Sequence, residues 1–165
     1  MQRIFKPAIL AGVLLAATAS AQAADNVTRH SLKDSDFPIS LAVETGPQAQ
    51  TLYLSGSGPE VSNQDADENT IDAYGDMETQ ARSALTSIAD KLEGLGYDMS
   101  DVVMMHAYLV PDSDTGKLDF EGFMNAYTEF FGTDDQPNLP ARSAVPVPQL
   151  ANPGWLIEIE VTAAK

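Results

Sequence analysis

Two segments of the chain repeat apolar residues every three to four positions, which is the spacing of an amphipathic α-helix. The first segment predicts a helix that ends near Leu95, where Gly96 is a suitable stop signal. The second predicts a helix through residues 120–131, capped by Asp112 or Asp114. The apolar positions are Met77, Ala81, Ala84, Leu85, Ile88 and Leu92 in the first helix, and Phe120, Phe123, Met124, Tyr127, Phe130 and Phe131 in the second.

Other segments have the alternation or the β-branched content of strands. They are residues 27–32, 38–45, 50–56, 101–110, 142–147 and 155–163. The order β-β-β-α-β-α-β-β predicts an α+β sandwich, with one mixed sheet that carries both helices on one face. The other face of that sheet would be bare, and we expect it to pack on another copy of the chain. Pro146 cannot donate to a ladder, so its strand is predicted at an edge.

The first 23 residues have the three parts of a secretory signal peptide. Arg3 and Lys6 form a charged start, residues 8–17 form an apolar run too short to span a bilayer, and residues 21–23 (Ala-Gln-Ala) form a cleavage site. We therefore expect residues 1–23 to be removed and residues 24–165 to fold as a single domain. The mature protein is expected to be periplasmic or secreted, with no membrane attachment after cleavage.

The composition is strongly acidic and lacks cysteine. The chain has 24 Asp and Glu against 9 Lys and Arg, a net charge of −15. Without residues 1–23 the balance is 7 minus 24, or −17. This charge repels nucleic-acid phosphates and anionic lipids, so neither is an expected partner. Without cysteine, an exported fold depends on its core or on oligomerisation, and a thiol nucleophile is excluded.

Metal and nucleotide sites find little support in the residue spacing. His30 and His106 are the only histidines, and they lack the spacing of metal ligands. The acidic segment 65–76 approaches the spacing of a calcium loop but lacks its glycine and its final glutamate. The segment "SGSGP" lacks the pattern of a nucleophile elbow or of a dinucleotide loop. The sequence therefore predicts neither a metal nor a cofactor.

Two charged residues on the predicted strands are candidates for chemistry, and each has two interpretations. Arg142 stands at the start of its strand, where it either pairs with Glu158, Glu160 or an aspartate, or binds a ligand carboxylate with its planar fork. Glu158 stands inside the last strand. It lies either on a solvated polar face or in a cleft where it orders or deprotonates water.

The C-terminal segment "LPARSAVPVPQLANPGWLIEIEVTAA" (139–164) resembles the Rid/YjgF family, whose members end with a Pro-Ala-Arg-Ser strand and an Ile-Glu-Ile-Glu strand. Upstream, "LYLSG" (52–56) matches the glycine turn after the third strand of the family. Residues 80–109 are similar to its first helix and next strand, and "DFEGFMNAYTEFF" (119–131) to its second helix. The similarity covers most of residues 37–164, with the motifs in order.

This resemblance implies a Bacillus chorismate mutase-like fold, assembled as a homotrimer with clefts between subunits. The implied activity is hydrolysis of reactive enamines and imines to 2-keto acids and ammonia, without a cofactor. By position, Arg142 would bind the carboxylate of the imino acid, Glu158 would orient the attacking water, and the main chain at Ala144 would help to position them. The remaining residues implied to line the cleft are Ser55, Gly56 and Asn125.

The chain differs from the family at Ile39, where tyrosine is common, and in a longer loop after Gly56. The rival interpretation is a non-catalytic trimer that binds small carboxylates or acts as a chaperone-like stress protein. Both interpretations use Arg142, and the deaminase alone needs Glu158 beside a water molecule.

Overall fold

A computed structural model describes residues 26–113 and 116–165. The predicted signal peptide at 1–23 lies outside the described residues. The elements are β1 (Val27–Ser31), β2 (Ser40–Thr45), β3 (Thr51–Ser57), α1 (Met77–Gly94), β4 (Val102–Leu109), α2 (Phe120–Phe130), β5 (Ala141–Pro146) and β6 (Ile157–Ala164). Their order is the predicted one. Short 3-10 helices, Ile71–Ala73 and Met99–Asp101, lie ahead of α1 and β4.

Four strands form a mixed sheet in the order β3-β6-β4-β5. The β4–β5 pair is parallel, and the β3–β6 and β4–β6 pairs are antiparallel. β1 and β2 pair as a separate antiparallel hairpin, which refines the single sheet that we expected. The hairpin is fastened beside β5 by Ser40, whose N–H donates to Pro140 O at 2.9 Å and whose hydroxyl donates to Leu139 O at 2.6 Å.

Both helices cover the same face of the sheet and enclose the core. The alternation predicted for β6 is confirmed, because its odd-numbered residues 157–163 are buried while Glu158, Glu160 and Thr162 between them are partly exposed. In β4, Met105, Ala107 and Leu109 point into the same core. Within residues 26–113 and 116–165, no helix covers the second face of the sheet, which we call the uncovered face.

Aspartates cap both helices. The Asp76 carboxylate accepts a hydrogen bond from Thr79 N–H at 2.9 Å, and hydrogen bonding from the side chain and then the backbone of Thr79 lowers the pKa of Asp76. Asp119 accepts from Gly122 N–H at 2.9 Å, so α2 begins at Phe120. The predicted cap at Asp112 or Asp114 was wrong. Asp119 directly precedes the apolar helical pattern and satisfies a free N–H of the first turn.

β5 is the edge strand that Pro146 predicted. Val147 N–H donates to Leu109 O at 2.8 Å, which fixes the side of the strand that faces β4. Because backbone groups alternate along a strand, Ala144 and Pro146 direct theirs away from β4. The missing N–H of Pro146 therefore removes no bond from the ladder.

The long loop between β3 and α1 packs on the turn that leads into β6. The side chain of Gln80 is fully buried, and its amide donates to Gly75 O at 2.8 Å and to Gly154 O at 3.0 Å. Its oxygen accepts Leu156 N–H at 2.7 Å. Trp155 meets the ring of Tyr74 edge-on at 6.4 Å between centroids. Gln80 thus joins the helix, the loop and the last strand.

The described part of the chain contains no group of three His, Cys, Asp or Glu residues that could hold a metal ion. Within the same residues, no helix has the length and apolar character needed to cross a membrane.

We expect Gln80→Ala to lower the free energy of unfolding by roughly 2–4 kcal/mol, because it leaves two buried backbone groups, Gly154 O and Leu156 N–H, and the partly buried Gly75 O without partners. Urea denaturation followed by circular dichroism measures the loss. The exposed loop residue Gln64 is the matched control, and Gln64→Ala should change stability by less than about 0.5 kcal/mol. Equal stabilities of the two variants would contradict the role assigned to Gln80.

Candidate functional site

Arg142, the second residue of β5, lies among three aromatic rings on the helix side of the sheet. Its Cζ is 4.2 Å from the centroid of Tyr127, 5.1 Å from that of Phe123 and 5.4 Å from that of Phe37. Phe123 and Tyr127 share one face of α2 because they are four residues apart. The faces of aromatic rings attract a guanidinium group, so α2 and the β1–β2 hairpin together hold the arginine.

No carboxylate among the described residues forms an ion pair with Arg142. Its Nη1 is buried and has no hydrogen-bond partner. Burial lowers the pKa of Arg142, and the nearby Tyr127 partly offsets this shift. Pairing within the chain, one of the two interpretations of this residue, is therefore not observed. A buried cation with an unpaired donor is costly, and it is well suited to receive a ligand carboxylate.

The segment beside Arg142 is tied to α2. The Tyr127 hydroxyl donates to Pro38 O at 2.9 Å, and burial raises the pKa of Tyr127 to about 12. Ile39 N–H donates to Phe37 O at 2.8 Å, which closes a tight turn. Ile39 itself lines a surface hollow with Phe37 and Leu139. These bonds fix the Phe37 backbone next to the guanidinium group.

Glu158 lies on the uncovered face of the sheet, beside Gly56. A bulge in β3 between Leu54 and Ser57 places Ser55 and Gly56 next to β6 on this face. A Cβ on Gly56 would overlap the Glu158 carboxylate and stand 3.0 Å from its Cδ. The absence of a side chain at Gly56 therefore gives the carboxylate its position. Three of the predicted site residues, Ser55, Gly56 and Glu158, are thus brought together.

Arg142 and Glu158 lie on opposite faces of the sheet. The register pairs Met105 with Arg142 and Tyr108 with Glu158. Met105 and Tyr108 are three residues apart in β4, and side chains at an odd separation point to opposite faces. One chain cannot bring both groups to one small molecule. A site that uses both needs a second copy, whose uncovered face meets the β5 edge of the first.

The uncovered face has the character of an interface between copies. It exposes Tyr53 to 80%, Met104 to 37% and Val145 to 42%. Polar groups on this face bond to one another, since the Tyr108 hydroxyl donates to Glu160 at 2.8 Å, a bond that raises the pKa of Tyr108. Apolar surface of this kind on a sheet is usually covered by another protein surface.

Two predicted site residues have different surroundings. Ala144 follows Arg142 on the same side of β5, and its backbone groups point away from β4 to the open edge of the sheet. Asn125 lies on the exposed side of α2, where its amide donates to Glu78 at 3.0 Å. Glu78 in turn pairs with Arg82 at 2.7 Å, so Asn125 belongs to a surface network and does not join Arg142 or Glu158.

The sequence reasoning missed the aromatic surroundings of Arg142. The helical spacing places Phe123 and Tyr127 on the apolar side of the second predicted helix, and no sequence pattern marks Phe37. The signal in the sequence is Arg142 itself. A partly buried guanidinium group that forms no ion pair is stabilised by the faces of aromatic rings. Which of the aromatic residues supply them depends on tertiary packing.

The comparisons with known proteins agree with this architecture. The model of the family Endoribonuclease L-PSP matches residues 34–165. A RutC family protein from Pyrococcus horikoshii is 33% identical over 129 residues, which cover 78% of this chain and 87% of that protein.

Solved structures show the same fold. A Rid family protein of unknown function from Yersinia pestis superposes with a TM-score of 0.63 at 24% identity, over 85% of this chain and 99% of that one. Escherichia coli TdcF, with bound serine, superposes with a TM-score of 0.53 at 25% identity, over 70% and 80% of the two chains. The resemblance expected from the sequence is confirmed, and the chain belongs to the Endoribonuclease L-PSP family, which includes the Rid/YjgF and RutC proteins.

Proposed function

We propose that this protein is a hydrolytic deaminase that converts 2-imino acids, and the enamines in equilibrium with them, to 2-keto acids and ammonia. The observation that carries the proposal is the Arg142 guanidinium group, which lies partly buried among aromatic rings and has no carboxylate partner among the described residues. It suits a ligand that brings its own carboxylate. Two further observations support a reaction at that ligand: a carboxylate at Glu158 held over Gly56, and free backbone groups at Ala144.

The proposed site lies between copies of the chain, in a homotrimer with three clefts. One copy contributes Arg142 and the main chain at Ala144. Its neighbour contributes Glu158, Ser55 and Gly56. The support for this arrangement is that Arg142 and Glu158 face opposite sides of one sheet, while the face that carries Glu158 exposes apolar surface.

In the proposed reaction, Arg142 holds the substrate carboxylate through two parallel N–H···O bonds, which fixes the position of the neighbouring imine carbon. Glu158 holds a water molecule and takes a proton from it as the oxygen attacks that carbon. The C–O bond forms, and the C=N electron pair moves to nitrogen. Glu158 then returns the proton to nitrogen, which gives a carbinolamine with one hydroxyl and one amino group. Glu158 next takes the proton of that hydroxyl and delivers it to the amino nitrogen, the C–N bond breaks, and ammonia leaves as the carbonyl forms. Water is the sole co-reactant, so atoms and charge balance.

The related TdcF was crystallised with bound serine. Serine has a carboxylate and a nitrogen on the neighbouring carbon, as a 2-imino acid does. This likeness supports a small amino acid derivative as the ligand class. The rival function, a non-catalytic trimer that binds small carboxylates or protects other proteins, would use Arg142 in the same way without a water at Glu158. In either case we propose, from the signal-peptide pattern of residues 1–23, that the mature protein begins at Ala24 and is periplasmic or secreted.

Wild-type protein should accelerate the release of 2-keto acid from imino acids generated in situ by an amino acid oxidase. We expect Arg142→Ala to lower kcat/KM by about 100-fold, mainly through KM, because a bidentate charge contact is lost. Glu158→Gln should lower kcat by about 100-fold or more, because the base is lost. Keto acid release and ammonia release, followed in parallel, measure both effects.

Two matched variants control for charge and folding. Glu160→Gln removes a carboxylate from the same face of β6, and Arg82→Ala removes an arginine that pairs with Glu78 and Glu129 on the outer helix surface. Both should retain wild-type activity. Folded wild-type protein that hydrolyses no imino acid, whether small, aliphatic or aromatic, would rule out the deaminase and favour the rival function.

Mixing the two inactive variants tests whether the site is shared between copies. A trimer is reassembled from equal amounts of Arg142→Ala and Glu158→Gln chains. An intact site forms wherever a Glu158→Gln chain supplies Arg142 and a neighbouring Arg142→Ala chain supplies Glu158. Random assembly should restore about one quarter of wild-type activity. Native mass spectrometry confirms the mixed trimers. Mixed trimers that remain inactive would place Arg142 and Glu158 in separate sites.

Gly56→Ala should inactivate the enzyme with little loss of stability. The added methyl group meets the flexible end of Glu158, which can move aside, so we expect the carboxylate to leave its position and kcat to fall by about 10-fold or more. Gly94→Ala is the control, because a Cβ at Gly94 meets nothing within 4 Å. A crystal structure of the Gly56→Ala protein with Glu158 unmoved would contradict this explanation.

A further inference from the structure

Phe37 differs from the other two rings beside Arg142 in its exposure. Phe123 and Tyr127 are fully buried, whereas Phe37 is 42% exposed. All three lie close to the guanidinium group, and Phe37 alone among them presents much of its ring to solvent. A ligand that reaches Arg142 therefore meets Phe37 before it can meet the other rings.

The backbone at Phe37 is fixed in position. The Tyr127 hydroxyl donates a hydrogen bond to Pro38 O. The Ile39 N–H donates to Phe37 O, and this tight turn holds the backbone of Phe37. Ser40 fastens the end of the segment to Leu139 and Pro140. An exposed aromatic residue on a fixed backbone is a pre-organised surface, which binds apolar groups without a large loss of conformational freedom.

The distances match the size of an amino acid derivative. The Phe37 centroid is 5.4 Å from Arg142 Cζ. A carboxylate bound to a guanidinium group lies about 3 Å from its nitrogens. The substituent on the carbon next to the ligand carboxylate therefore reaches about as far from Arg142 as the ring of Phe37 lies.

We propose that Phe37 determines specificity for the side chain of the ligand, and that the site prefers imino acids with an aromatic or large apolar substituent to small ones. The carboxylate binds Arg142, and the substituent packs on the exposed ring of Phe37. The preference among substrates rests on the proposed function. The preference among carboxylate ligands requires only that the carboxylate of the ligand binds Arg142.

The test compares two substrates and two product-like ligands. We expect the wild-type protein to favour the imine of phenylalanine over that of alanine by about 10-fold in kcat/KM, the range that a single apolar contact provides. Phe37→Ala should remove this preference by lowering the rate with the phenylalanine imine alone. Phe37→Tyr, which keeps the ring, should retain it.

Calorimetric titration with phenylpyruvate and pyruvate provides a readout that does not depend on catalysis. Wild type should bind phenylpyruvate more tightly, and Phe37→Ala should bind the two equally. If no imine is hydrolysed but this binding preference is present and lost in Phe37→Ala, the proposed function fails and the specificity role stands. Wild-type protein that binds neither ligand would overturn both.

Leu41→Ala is the matched control, since Leu41 is a large apolar residue, 64% exposed in β2, and is not one of the three rings beside Arg142. It should leave the preference unchanged. Analytical ultracentrifugation compares the assembly of all variants. If Phe37→Ala lowers the rates with both substrates equally, or changes the assembly, Phe37 supports Arg142 or the interface and does not select the side chain.

Discussion

The contact between the Arg142 guanidinium group and the ring faces of α2 is the interaction on which the rest of the site depends. It keeps a cation at the edge of the core with no carboxylate from residues 26–113 or 116–165 to neutralise it, because the rings supply part of the electrostatic stabilisation that an ion pair would give. The same Tyr127 that lies under the guanidinium group holds the hairpin through Pro38. Loss of Tyr127 would thus affect both the charge and the segment that covers it.

The alternation of side chains along β4 and β6 is equally important for the site, because it decides which face of the sheet each charged group occupies. It sends the apolar set to the helices and the carboxylates of Glu158 and Glu160 to the uncovered face, while Arg142 stays on the helix side. A function that combines Arg142 with Glu158 is therefore a property of the assembly. The large negative charge of each chain is compatible with such an assembly, because the uncovered face carries apolar residues such as Tyr53 and Met104.

Much of the fold could be predicted from periodicity, since helices and half-buried strands each have a characteristic spacing. The order of elements, the inward face of β6 and the edge position of Pro146 followed from local rules. The start of α2 did not, because several aspartates precede it and the cap depends on which one meets a free N–H. The rings around Arg142 come from residues 37, 123 and 127, and no local pattern connects positions so far apart. Asn125 illustrates the converse, since its position in a motif did not reveal that it bonds to Glu78.

The edge strand β5 also affects how the protein avoids aggregation. An exposed strand edge can template the addition of a foreign strand and so start a fibril. Here the hairpin is fastened at Pro140, and Pro146 ends the strand without a donor, so the open stretch between them is short. This short stretch has enough free backbone groups to hydrogen-bond one small molecule. It has too few to form a stable β-ladder with a strand of another molecule. A chain that has no cysteine for disulfides can therefore keep an accessible strand edge without a further element to cover it.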